Sequence, residues 1–107
     1  MKIAVPVERT DPGAPMATVF GRAPGFLIHD TGGGDLVHLE NPGFGAAGGA
    51  GVEAAQAVVD AGVTVVIAPH VGPKAQAVLD GAGVEIHHDT AGRGVREIVD
   101  AFLEGRA

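Results

Sequence analysis

The chain has no cysteine, no tryptophan and no tyrosine, and only four phenylalanines. Without cysteine it can form neither a disulfide nor a thiolate metal site. Radical chemistry driven by a thiolate-held iron–sulfur centre is excluded for the same reason. Because aromatic residues are so few, the core must be built from Val, Ile, Leu and Ala, and the apolar share of 46% is large enough to supply one.

Positive charge is also scarce, since 7 Lys and Arg oppose 13 Asp and Glu, for a net charge of −6. This balance argues against nucleic acid and against an anionic membrane surface as partners, because both need a basic face. No apolar run approaches the ~18 residues of a membrane span. The N-terminal Met1–Val5 predicts a first strand rather than a signal peptide, so a cytoplasmic location is expected.

Glycine, in contrast, is abundant at 18 of 107 residues, and with proline it divides the chain into short elements. Apolar runs predict strands at 3–7, 26–30 and 36–40, the last two joined as an antiparallel hairpin. Pro6 has no N–H and suggests that the first strand leaves its ladder there. The segment 8–24 is rich in Pro, Gly and Thr and is predicted to be a long loop.

The second half of the chain alternates helical and strand patterns. The apolar stripes that predict three helices are Val52/Ala55/Val59, Ala75/Val78/Leu79 and Val95/Ile98/Val99/Phe102. Buried strands are predicted between these helices, at 63–68 and 84–86. The order implies an α/β fold with right-handed crossovers, in a single domain spanning residues 1–107.

Five segments, in this order along the chain, resemble the dinitrogenase iron–molybdenum cofactor biosynthesis family. They are MKIAVPV at the N-terminus, FGRAPGF at 20–26, NPG at 41–43, the glycine- and alanine-rich run from 46 to 73, and LDGAGVEIHH at 79–88. Together they span nearly the whole chain. The resemblance implies a ribonuclease-H-like three-layer α/β/α fold, with a five-stranded mixed sheet in the order 3-2-1-4-5 and strand 2 antiparallel.

The same resemblance implies a function. Relatives include nitrogenase cofactor carriers and orange protein, so a small cofactor-binding or carrier protein is expected rather than an enzyme. The cargo would be an iron–sulfur, molybdenum–iron–sulfur or molybdenum–copper–sulfur cluster, exchanged with cofactor-assembly or redox proteins. Since such clusters are usually anionic, local donors have to outweigh the acidic overall charge.

A ligand of an open α/β sheet binds beyond the carboxyl ends of the strands, where the strand order reverses. With the implied order, this point lies between the first strand and the strand at 63–68. The loops that reach it are the one at 6–8, which contains Glu8, the one at 69–72 and, beside them, the one at 87–88.

Two predicted helices begin at glycines, the first at Gly48, Gly49 and Gly51 and the second at Gly72. Helix N-termini offer free N–H groups and partial positive charge to an anion. The same glycines could instead only permit tight turns into the helices. Arg22 could donate a bidentate contact to the anion or, alternatively, pin the long loop through backbone carbonyls.

Histidine is the other candidate ligand, because imidazole binds Fe, Cu, Ni and Zn well. His70 directly follows a buried strand and would face the predicted crevice, although a surface-loop role is the alternative. His88, or its neighbour His87, could bridge a metal with His70, since adjacent strands lie about 4.8 Å apart. His29 and His38 lie on the hairpin, remote from the crevice, and are expected to be exposed or packed.

Enzymatic alternatives find little support. A two-metal nuclease needs clustered carboxylates, and the first strand has none inside it. The loose GxGxxA pattern at 49–54 does not follow a strand, as a dinucleotide fingerprint would. Two hypotheses remain: a cluster or metal carrier, and a protein-interaction or regulatory module of the same fold that binds a partner through the loop at 11–20 without a cofactor. Uptake of a coloured ligand distinguishes them.

Overall fold

A computed structural model describes residues 1–9, 13–33, 36–45, 49–88 and 94–106. The strands are β1 Lys2–Val7, β2 Gly25–Asp30, β3 Val37–Glu40, β4 Val65–Ala68 and β5 Glu85–His88. The helices are α1 Ala50–Asp60, α2 Pro73–Gly81 and α3 Val95–Arg106, and a 3₁₀ turn covers Phe20–Arg22. Within the described part, no helix combines the length and the apolar character needed to cross a membrane.

The sheet has the order β3-β2-β1-β4-β5, which confirms the order implied by the resemblance. Strand β2 runs antiparallel to both β1 and β3, whereas β1, β4 and β5 run parallel to one another. The hairpin and the crossover helices predicted from the sequence are therefore both present. The carboxyl ends of β1, β3, β4 and β5 consequently lie at the same end of the sheet.

Two apolar cores lie on opposite faces of this sheet, so the molecule has three layers. Alternate residues of β1 show the division: Ala4 packs in the core beneath α1 and α2, and Val5 packs in the core beneath α3. The predicted inner stripes of α2 and α3 are confirmed, since Leu79 and Ile98 are both fully buried. Each crossover helix thus buries one apolar face, which is what holds a half-parallel sheet together.

The stripe predicted for α1 is partly wrong. The helix buries Ala50, Ala54, Ala55 and Val58, whereas Val52 is 38% exposed. The buried face of α1 is rotated from the predicted one because the first turn of the helix packs against two neighbouring backbone segments and not against the sheet alone. The spacing of apolar residues along the sequence does not reveal such contacts between backbone segments.

The expectation that β1 leaves the sheet at Pro6 is also wrong on one side of the strand. Pairing with β2 continues through Pro6 to Val7, opposite Gly25. The N–H of Thr64 donates to the Lys2 carbonyl at 3.0 Å, which shows that even-numbered β1 residues turn their backbone groups toward β4. The missing N–H of Pro6 therefore faces away from β2 and interrupts no bond there.

The loop after β1 passes from one face of the sheet to the other between β1 and β4. Met16 belongs to the core beneath α3, and Phe20 belongs to the core beneath α1 and α2. On the way, the N–H of Ala17 donates to the Pro6 carbonyl at 2.8 Å, and the N–H of Phe20 donates to the His70 carbonyl at 3.0 Å. The backbone of this loop therefore occupies the gap between the two strand ends.

Candidate functional site

A cavity of about 300 Å³ opens at the end of the sheet where the carboxyl ends of β1 and β4 lie, between the 3₁₀ turn and the N-termini of α1 and α2. We call it the helix-entry cavity. Its lining residues are Val19, Gly21 and Arg22 from the loop, 49–52 from the start of α1, and 72–75 from the start of α2. The loop fills the gap between β1 and β4, so the cavity does not open between these strands. It lies instead on the side of the sheet that α1 and α2 cover.

Close backbone packing forms one wall of the cavity. A Cβ atom at Gly21 would lie 2.8 Å from the Cα of Gly51, and one at Gly43 would lie 2.6 Å from the carbonyl oxygen of Ala50. Real Cβ atoms do not come so close to backbone, so only glycine fits at either position. The 3₁₀ turn and the turn after β3 are thereby both held directly against the first turn of α1.

Asn41 ties these segments together. It is 5% exposed and is the one buried polar side chain in the described part of the chain. Its Nδ2 donates to the carbonyls of Gly21, at 3.2 Å, and Ala23, at 2.9 Å, while its Oδ1 accepts from the N–H of Gly43 at 2.9 Å. Sequence reasoning missed this role, although Asn-Pro-Gly is a typical signal for a turn closed by an Asn side chain.

The two helix N-termini at the cavity have unpaired backbone donors. The first intrahelical N–H donors are Glu53, which bonds the Gly49 carbonyl at 3.0 Å, and Gln76, which bonds the Gly72 carbonyl at 2.9 Å. No side chain caps either helix. The N–H groups that precede these donors in each first turn have no intrahelical acceptor, so both helices direct partial positive charge toward the cavity.

Side-chain charge adds to that of the helices. Arg22 and Lys74 are the two charged residues among those that line the helix-entry cavity, and both are exposed at its rim. No described carboxylate lines it. A cavity with this combination of backbone donors and cations favours an anion, even though the whole chain carries a net charge of −6.

Four of the predicted site residues come together here: Arg22, Gly49, Gly51 and Gly72 all line the helix-entry cavity. Gly48 lies outside the described residues. Glu8 lies elsewhere, since it lines a separate cavity of about 410 Å³. Other residues of that second cavity are Arg9, His38 and Glu40. Its carboxylates make it the less suitable of the two cavities for an anion.

The predicted histidines lie outside the helix-entry cavity. His70 is exposed, and its backbone, rather than its imidazole, makes the contact with Phe20. His88 lines a third cavity of about 230 Å³, which opens toward Ile98 and Phe102 of α3. Within the described ranges, no three His, Asp or Glu side chains are grouped so that they could hold a metal ion. Metal ligation by His70 and His88 stays a prediction.

The two hairpin histidines differ in their surroundings. His29 is half-buried, and its Nδ1 has no hydrogen-bond partner in the described structure. His38 is exposed and rests over Gly25, where a Cβ would come within 2.5 Å of its Nε2. Neither contributes to the helix-entry cavity, which agrees with the expectation that the hairpin is remote from the site.

Comparison with known sequences now places the chain. The family described as dinitrogenase iron–molybdenum cofactor matches residues 1–105. The chain belongs to this family. An uncharacterised protein of Methanocaldococcus jannaschii is 28% identical to this family member over 109 residues, which cover 99% of this chain and 88% of the relative.

Solved structures agree with the family assignment. The apo form of the orange protein from Desulfovibrio gigas matches with a TM-score of 0.92 and 34% identity, over 97% of this chain and 88% of the other. A putative NifB protein from Thermotoga matches with a TM-score of 0.84 and 36% identity, over 98% and 89% of the two chains. The iron–molybdenum cofactor family and the three-layer fold are therefore supported by sequence and structure together.

Proposed function

We propose that this chain binds an anionic metal–sulfur cluster in the helix-entry cavity and carries it to other proteins without catalysing a reaction on it. The observation that supports this most directly is the charge of the lining: both charged residues there, Arg22 and Lys74, are cations. An otherwise acidic protein thus has a cationic cavity at the carboxyl ends of its parallel strands, which is where α/β proteins bind ligands.

The chemistry of the lining suits sulfide. Backbone N–H groups at two helix N-termini can donate to the sulfur atoms, and the fork of Arg22 can donate twice to one face of the cluster. Because the chain has no cysteine, no thiolate bond would hold the cluster. Binding that rests on hydrogen bonds and charge is readily reversible, as transfer to a partner requires. We further propose His70 as an additional ligand: it does not line the cavity, but its side chain is exposed and it stands two residues before Gly72, which does.

Family membership supports the same proposal. The family's description names the iron–molybdenum cofactor of dinitrogenase, and the Desulfovibrio gigas relative is described as an apo form. Both descriptions concern proteins that are associated with a bound group. Cofactor-assembly or redox proteins are accordingly the proposed donors and acceptors of the cluster.

The alternative function is a protein-interaction or regulatory module without a cofactor, in which the loop at 11–20 would bind the partner. In the described part of that loop, Ala14, Met16, Ala17 and Phe20 are all buried at 3% exposure or less. The side chains of Ala14 and Met16 pack in the core beneath α3, and that of Phe20 packs in the core beneath α1 and α2, so these side chains are not available to a partner. These buried side chains give the alternative no support; within the described residues of the loop, Thr18 is the exposed side chain that a partner could contact.

Anaerobic titration with tetrathiomolybdate tests the proposal. The absorbance of this molybdenum–sulfur anion can be followed easily, because the chain has no Trp or Tyr. We expect saturable uptake by the wild type, and a loss of about tenfold in affinity, or roughly 1.4 kcal/mol, for Arg22→Ala at the exposed rim. Arg96→Ala is the matched control, since Arg96 is an exposed cation on α3 that does not line the cavity.

The outcomes separate the parts of the proposal. Absence of uptake by the wild type would refute the carrier function. Equal weakening by Arg22→Ala and Arg96→Ala would show that only net charge matters and would remove the cluster from this cavity. If His70→Ala binds as tightly as the wild type, the cavity remains the site but His70 is not a ligand.

A further inference from the structure

Strand β3 forms one edge of the sheet, and no other described segment pairs with its outer side. Its sequence, Val37-His38-Leu39-Glu40, contains neither the proline nor the lysine that commonly protects a sheet edge. Val37 is 61% exposed, the most exposed of the large apolar side chains. Although the strand is only four residues long, its outer side presents backbone groups that can pair with another strand.

The hydrogen-bonding phase of β3 shows which backbone groups are free. The N–H of Asn41 donates to the Pro24 carbonyl at 3.2 Å, just beyond the paired residues Glu40 and Gly25. Backbone groups alternate in direction along a strand. Residues 37, 39 and 41 therefore turn their backbone groups toward β2, and His38 and Glu40 turn theirs to the outer edge.

We propose that a second copy of this chain pairs with that edge, antiparallel, with Leu39 opposite Leu39 of the other copy. A two-fold axis perpendicular to the sheet keeps each residue on its own face, so only registers centred on a residue are possible. Centring on Leu39 places His38 opposite Glu40 twice. It also joins the outward N–H and C=O groups of these residues in two closely spaced pairs of hydrogen bonds.

The pairing of opposed side chains selects this register over its neighbours. A register centred on His38 would place the two imidazoles opposite each other, and one centred on Glu40 would oppose two carboxylates, which is destabilising. In the proposed register each carboxylate of Glu40 instead meets an imidazole. Both side chains are exposed. Because the His38 ring rests over Gly25, the longer Glu40 side chain is the one that reaches across.

The other face of the joined strands is apolar. Val37 and Leu39 point there, on the side of the core beneath α1 and α2, where Leu39 is already half-buried. Dimerisation would bring the Val37 and Leu39 side chains of both copies together along this face. The exposed apolar surface and the unpaired backbone groups are thus covered by the same event.

The opposite edge of the sheet does not offer the same arrangement. In β5, Glu85 and His87 are also two residues apart, but their side chains already contact each other within one chain at 3.0 Å. These two side chains are therefore already paired with each other inside one chain. The helix-entry cavity includes no residue of β3, so the dimer would leave it open and would carry two such cavities.

Sedimentation equilibrium up to about 1 mM protein tests the dimer, because an interface this short should be weak, with a dissociation constant on the order of 100 μM. We expect His38→Glu and Glu40→Lys each to raise that constant at least tenfold, since the first opposes two carboxylates twice and the second removes the acceptor opposite each imidazole. The double variant His38→Glu/Glu40→Lys should restore it, because its charges are complementary again. Glu104→Lys, an exposed change of equal charge on α3, is the control.

A second readout locates the interface. Amide hydrogen exchange at His38 and Glu40 should slow with concentration in the wild type and the double variant, and stay fast in both single variants. A wild type that is monomeric at about 1 mM would overturn the proposal. So would failure of the double variant to recover, or an equal loss of dimer in Glu104→Lys. None of these outcomes depends on cluster binding.

Discussion

Asn41→Ala should destabilise this protein more than its position in a turn suggests. The substitution removes two bonds donated to the carbonyls of Gly21 and Ala23 and one accepted from Gly43. At a net value of about 1 kcal/mol for each bond, the loss is about 3 kcal/mol. The side chain is 5% exposed, so water cannot readily replace the lost partners.

Urea denaturation measures this loss. A decrease of about 3 kcal/mol corresponds to a fall of roughly 15 °C in Tm for a domain of this size. Gln56→Ala is the matched control: it also removes an amide hydrogen bond, to Asp60 at 2.9 Å, but on an exposed helix face. We expect less than about 0.5 kcal/mol there. If Asn41→Ala costs no more than the control, Asn41 does not hold the 3₁₀ turn to α1.

Other predictions concern glycine packing and the absence of a structural metal. Gly21→Ala should destabilise by about 1–3 kcal/mol, because its Cβ would overlap the backbone of Gly51, whereas Gly81→Ala, in open space on α2, should stabilise by about 0.4–1 kcal/mol. Both are measured by chemical denaturation, and equal effects would show that backbone contact is not what requires glycine at position 21. The thermal unfolding midpoint should be the same with and without a chelator, since apolar contacts build both described cores. A chelator-induced collapse would contradict this.

Much of the fold could be predicted from the sequence, because it depends on local periodicity and on a family resemblance. Apolar runs located the strands to within about two residues, and helical stripes indicated where the three helices lie. The order of the strands, in contrast, came from the resemblance and not from any pattern in the chain. The errors at Pro6 and Val52 have a common origin: each depends on what lies beside the element, and neither neighbour can be identified from local sequence.

The candidate site shows the same division. Arg22, Gly49, Gly51 and Gly72 could be proposed from sequence because glycines at helix starts and a nearby arginine are local signals. Asn41 could not, since its partners lie 18 and 20 residues earlier in the chain. The prediction for Glu8 assumed that the β1 loop opens directly onto the crevice. Instead, the following residues fill the gap between β1 and β4 and separate Glu8 from the helix-entry cavity.

That crossing loop connects the stability of the protein to its proposed binding site. Phe20 is fully buried, with its ring centroid 4.9 Å from that of Phe26 in the core beneath α1 and α2. Arg22 follows two residues later, on a turn whose carbonyls are held by Asn41. An exposed arginine on a mobile loop would lose conformational freedom on binding an anion, which would reduce its affinity. Here the backbone that carries Arg22 is ordered by the core before any ligand arrives, so only the side chain remains to be fixed. The same contacts that close the fold therefore preorganise the cavity in which we propose that an anionic cluster binds.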